Sequence, residues 1–279
     1  MPRCLNLCEI NWSKLCDHCG VMNKLYGLLE EKSRIYVGSY FCSQFFLAFQ
    51  FDNLIKFAKD WNLKLTLVLP IFSEKDLKLA KKKIIKILQN SKSVIDEVTV
   101  NDFGMLTYIQ SKFDKKVNLG RLFFKDPRDV RVNEYYSQKG NVNILSALEE
   151  VIDVSKINYV ELDETNKSLG IDDCFRVAVH TPFCFMTTGN ICKYASINKG
   201  IEFKFRPNDK CRQECSCIYE HYSEEYNGRH IDLYRLGRTV YSYMTERSEV
   251  ENKKREIYFP FIEIVNSTGD KNENFSAVK

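Results

Sequence analysis

The sequence predicts an α/β protein with a TIM-barrel-like (β/α) body and a cysteine-rich insertion near its C-terminal part. Three observations carry that expectation. Short apolar runs alternate with longer amphipathic stretches from Arg34 to His180, the rhythm of parallel strands joined by right-handed helical crossovers. After His180 the rhythm breaks into a segment dense in Cys, Lys and Asn. The 279 residues are 44% hydrophobic, enough for one large core, and α/β barrels of such length count as one domain.

RIYVG, Arg34 to Gly38, reads as a strand. FDNLIKFAKDW places Leu54, Ile55, Phe57, Ala58 and Trp61 at helical spacing. LKLTLVLP is a buried strand stopped by Pro70. SEKDLKLAKKKIIKILQN has acids early and lysines late, with Ser73 placed as its cap, and so reads as a helix. VIDEVTV is the next strand, MLTYIQSKF a helix, KVNLG a strand and ILSALEEVI a helix. INYVEL and CFRVAVH are two further strands, and RHIDLYRLGRTVYSY returns to strand through Ile231, Leu233 and Tyr234. No Gly-rich phosphate fingerprint follows the first strand, so nothing favours a dinucleotide fold. One domain over 1–265 is expected, with a Cys-containing N-terminal segment (1–33), a cysteine-rich region (181–228) and a flexible polar tail (266–279).

Lys and Arg number 41 against 37 Asp and Glu, a net charge of +4. Such a mixed surface carries no strong nucleic-acid signature, and LKLAKKKIIK reads as a solvated helix face. No apolar run approaches the roughly 20 residues of a spanning helix. The start, MPRCLNLCEINW, has no signal-peptide pattern, so a cytoplasmic protein is expected. Disulfides are rare there, and eleven cysteines cannot all pair.

The thiols are then metal ligands or core side chains. Cys211 and Cys215 form a close pair, with Lys210 and Arg212 beside Cys211 to favour its thiolate. Cys184, Cys192 and Cys217 are their neighbours in sequence. One compact pair with spread companions suits zinc and iron–sulfur alike, and spacing does not choose. Cys174, at a strand start, reads as a core thiol. Cys4, Cys8, Cys16 and Cys19 include one C-x2-C, but no zinc-ribbon separation fits, and inert or surface thiols are the expectation. Asp102, Glu161 and His180 stand at strand ends, where barrel enzymes carry their chemistry. Helix capping is the alternative for Asp102, and a hydrogen-bonded core histidine the alternative for His180.

Four stretches in order between Arg34 and Tyr243 (VTVNDFGML, NLGRLFFKDPRD, VAVHTPFCFMTTGNIC and KCRQEC) resemble the collagenase-like peptidase family, peptidase U32. That family has an α/β barrel-like body. IYVGSYFCS is similar to the cysteine-bearing stretch of its short, UbiV-like members. The resemblance implies a 4Fe–4S cluster on Cys42, Cys192, Cys211 and Cys215, with Cys184 and Cys217 as alternates. It also implies oxygen-independent hydroxylation, or a related redox modification, of a small aromatic or nucleobase substrate. Asp102, Arg121, Glu161 and His180 are then the candidates to orient that substrate, and a related family member is a candidate partner subunit. The loop from Cys192 to Cys211 is longer than in the UbiV-like members, so ubiquinone itself is not implied. A peptidase, as the family's name suggests, is one alternative, and a non-catalytic metal-binding scaffold subunit another. For the peptidase the sequence offers no H-E-x-x-H, no G-x-S-x-G and no papain-like cysteine context.

Overall fold

The computed structural model describes residues 3–12, 19–29, 34–91, 93–124, 153–164, 175–215, 218–226, 229–244 and 253–266. Seven parallel strands follow one another around a barrel: β1 (Arg3–Asn6), β2 (Arg34–Gly38), β3 (Lys64–Val68), β4 (Ile95–Val100), β5 (Lys116–Leu119), β6 (Ile157–Asp163) and β7 (Val177–Thr181). The chain then leaves the barrel for a separate antiparallel sheet of β8 (Phe183–Thr188), β9 (Tyr219–Tyr226), β10 (Arg229–Leu236) and β11 (Thr239–Tyr243), in the order β8-β11-β10-β9. It returns as β12 (Lys253–Tyr258), which pairs with both β7 and β1 and closes the ring. The TIM-barrel-like expectation is met.

Both faces of these strands are covered, as parallel barrel strands require. In β3, Leu65, Thr66, Leu67 and Val68 are all buried. The described helices are α1 (Cys19–Leu28), α2 (Ser43–Ala48), α3 (Asp52–Asp60), α4 (Glu74–Asn90), α5 (Phe103–Lys112) and α6 (Phe261–Asn266). On α4 the buried residues Ala80, Ile84, Ile87 and Leu88 form one stripe at helical spacing. Ser73 does stand at its N-cap, but the hydroxyl donates to Asp76 Oδ2 at 2.5 Å instead of accepting a backbone N–H.

The N-terminal segment is part of the barrel itself. Arg3–Asn6 is a barrel strand, and Cys4 and Cys8 are buried in the core. Of the two expected alternatives, inert or surface, burial leaves the inert one for those two thiols. ILSALEEVI and the tail beyond Asn266 lie outside the described residues, as do Cys16, Cys174 and Cys217.

The barrel interior also carries an ion-pair layer toward the strand N-termini. Arg255 on β12 grips Glu97 on β4 with two bonds, 2.7 and 3.1 Å, and donates to Tyr36 Oη at 2.9 Å. Arg34 pairs with Asp96 at 2.7 Å and lies 3.5 Å from Glu97. At that end of a barrel such groups serve stability.

Candidate functional site

Cys42, just beyond β2, occupies the N-cap of α2. Its Sγ accepts the Phe45 N–H at 3.4 Å, and its own N–H donates to Ser39 Oγ at 2.7 Å. Cys192, Cys211 and Cys215 come from the long connection between β8 and β9. The four thiols line one cavity of about 480 Å³, open solvent at its mouth included, together with Glu9, Asn190, Asn208, Gly237 and Arg238. Each of the six pairs among the four thiols is close enough for one ionised sulfur to raise the other's pKa. Among the described residues, no three His, Cys, Asp or Glu groups are placed to share a single ion.

The hairpin between β10 and β11 forms one wall. Its two-residue turn begins at Gly237 with φ +59°, a conformation in which glycine is favoured. A Cβ there would sit 3.2 Å from the Cys215 Sγ, so the glycine also lets the turn approach the thiol. Arg238 follows and ties the excursion to the barrel. Its Nε donates to the Phe41 carbonyl at 3.1 Å, Nη2 donates to the same oxygen, and Nη1 donates to Asn208 Oδ1 at 3.0 Å. Burial pushes the Cys42 thiol up, and the Arg238 charge pulls the other way. Burial likewise pushes Cys211 up to about 12 and Cys215 well above the ordinary thiol range.

A second polar constellation fills the C-terminal mouth of the barrel. Glu161 on β6 accepts from Tyr40 Oη at 2.7 Å and from Thr99 Oγ1 at 2.6 Å, and lies 3.2 Å from His180 Nε2. Arg121 Nη2 is 2.7 Å from His180 Nδ1. A guanidinium only donates, so Nδ1 accepts, and the neutral ring carries its hydrogen on Nε2 for Glu161. Burial, then the Arg121 charge, hold His180 well below its ordinary pKa. Burial raises Glu161 to about 7 despite the bonds from Thr99 and Tyr40. Arg121 itself is buried, with Nη1 3.1 Å from Asp163 Oδ1 and its guanidinium against the rings of Tyr40, Phe41 and Tyr241. Among the described residues, its Nε and Nη1 have no hydrogen-bond partner.

Glu9 joins the two constellations. It lines the thiol cavity, accepts from Ser39 Oγ at 2.8 Å and Phe41 N–H at 3.1 Å, and takes a bond from Tyr241 Oη at 3.3 Å. Tyr241 in turn packs on Arg121.

Of the residues singled out in the sequence, Arg121, Glu161 and His180 meet at the mouth, and Cys42, Cys192, Cys211 and Cys215 meet at the cavity. Asp102 belongs to neither: its Oδ1 accepts the Met105 N–H at 2.8 Å and caps α5. Cys184 is buried within β8 and does not line the cavity, while Cys217 lies outside the described residues. Sequence reasoning missed Glu9, Tyr40 and Arg238. Only Arg238 left a readable signal, the Leu-Gly-Arg turn between two alternating runs. No protein-family model matches the chain, and no curated protein and no solved structure matches it either.

Proposed function

We propose that this chain is a 4Fe–4S protein, with Cys42, Cys192, Cys211 and Cys215 as ligands. In this reading it serves oxygen-independent hydroxylation, or a related redox modification, of a small aromatic or nucleobase substrate. The observation that carries the proposal is the meeting, around one cavity, of three thiols from the connection between β8 and β9 with Cys42 from a distant part of the chain. A zinc ion would draw its sulfurs to about 2.3 Å from one centre. A four-iron cluster instead takes its cysteines at separate irons. When bound, a cluster with all four ligands from the protein would supply electron transfer.

The chain's own residues would do the rest. Arg238 holds the Cys42 loop against the excursion. At the mouth, Arg121 keeps Nε as the donor with neither a hydrogen bond nor an ion pair among the described residues, available to an oxygen of the substrate. Glu161, with its pKa near 7, would hold or release a proton at neutral pH beside a neutral His180. A peptidase gains nothing from this geometry. A thiol nucleophile needs a base within reach, and both His180 nitrogens are engaged by Arg121 and Glu161.

The test is anaerobic purification with iron, sulfide and zinc analysis. About four irons and four sulfides per chain are expected, as one cubane requires. Single Ala substitutions at Cys42, Cys192, Cys211 and Cys215 should each strip most of the iron, whereas Cys184→Ala should keep it. Stoichiometric zinc without iron, or full iron in Cys42→Ala, would sink the assignment.

A further inference from the structure

The connection that walls the thiol cavity turns a second face to solvent. Ile197, Ile201, Phe203 and Phe205 are all exposed there, Ile201 to 87%. Such side chains are left in water, and grouped exposure of this kind marks an interaction surface. The segment is held in shape. The Phe205 N–H donates to Ser196 Oγ at 2.9 Å, Asn208 N–H to the Asn190 carbonyl at 2.8 Å, and Lys199 pairs with Asp209. Arg206 lies over the Phe203 ring at 4.7 Å.

The rim of this apolar face is cationic. From Lys193 to Arg212 the chain has six Lys and Arg residues against Glu202 and Asp209, an excess equal to the +4 of the whole chain. Lys193 and Lys199 are paired with Glu220 and Asp209. Lys204 and Arg206 adjoin Phe203 and Phe205, Lys210 and Arg212 follow in the same connection, and the four form no ion pair in the described residues. An apolar centre with a charged rim is the anatomy of a protein interface.

Resting on the cluster reading above, we propose that this face docks an acidic one-electron carrier protein. The step is a single electron transfer: the carrier's reduced centre is oxidised, the cluster is reduced, and no bond or proton moves. The position favours it, because Cys192, Asn208, Asp209 and Cys211 line the cavity on the inner side of the same connection.

The experiment follows cluster bleaching of the anaerobic holoprotein after mixing with reduced plant-type ferredoxin, an acidic carrier, with dithionite as the small-molecule control. Ferredoxin reduction should slow at least about tenfold between low and high salt, as steered association does. The double variant Lys204→Glu/Arg206→Glu, and separately Ile201→Ser, should slow it about tenfold at low salt, with iron content and dithionite reduction unchanged. Variants that react with ferredoxin at the parent rate overturn the docking proposal. So does self-association that Ile201→Ser abolishes, or an RNA oligonucleotide that binds this face and blocks ferredoxin. A cluster that dithionite reduces and ferredoxin does not overturns the docking and leaves the cluster standing. Protein without iron fails the cluster reading first, and the carrier role falls with it.

Discussion

Glu97 on β4 and Glu161 on β6 share one barrel interior, and both are almost wholly shielded from water. Their carboxyls nevertheless move in opposite directions. Burial would raise Glu97, but bonds from Arg255 and the nearby Arg34 charge outweigh it and lower its pKa. Glu161 accepts only from neutral hydroxyls and a neutral imidazole, and burial carries it up to about 7. Pairing, not depth, separates the two. Glu97 with its cations is a fixed ionic strut toward the strand N-termini. Glu161, near the C-terminal end, is the group whose proton can move under physiological conditions.

The strongest way to break this contrast is Arg255→Met. It removes both bonds to Glu97 and the bond to Tyr36, leaving a buried carboxylate without its main partner. A loss of about 3–5 kcal/mol of unfolding free energy is expected, measured from urea midpoints at neutral pH. A loss under about 1 kcal/mol would show that the pair is not structural. A smaller effect concerns pH. Glu161 binds its proton more tightly in the folded chain, so its stabilising contribution is full below 4.5 and lost as pH rises through about 7. Glu97 works the other way: its contribution is present above its ordinary 4.5 and lost as pH falls through the lowered folded value. Glu161→Gln should therefore flatten the stability profile between pH 4.5 and 7, and Glu97→Gln the acid limb. Profiles that change on the same limb would refute the contrast. The smallest expected change is Asp102→Ala, which should cost about 1 kcal/mol as a lost helix cap. It should leave the neutral limb of the pH profile unmoved, since Asp102 touches neither glutamate's network.

The sequence made β2 to β7 readable because at least half of the residues in each are apolar. β12 was not readable for a physical reason. Four of the six residues in its KKREIY are charged, and only the fold reveals that Arg255 finds Glu97 in the interior. β1 has four residues, too few for any period. The cysteines show the same division. Nearness in sequence groups Cys184 with Cys192, but a strand carries Cys184 into the core, while Cys42 reaches the cavity from another part of the chain. Cys42 was accessible only through a family resemblance. Glu9 and Tyr40 have no local signature, since their roles arise from partners more than a hundred residues away in sequence.

The ring is closed by β12, which follows the whole antiparallel excursion. During synthesis on a ribosome, Cys42, Cys192, Cys211 and Cys215 all leave the exit tunnel before that final stave does. Until it arrives, β1 and β7 are open edges of an unfinished sheet, and open edges invite pairing with other chains. The stretch from Thr239, the last residue lining the cavity, to Tyr258 at the end of β12 thus sets the interval in which a nascent chain can form its thiol cavity yet still aggregate through its unsealed barrel.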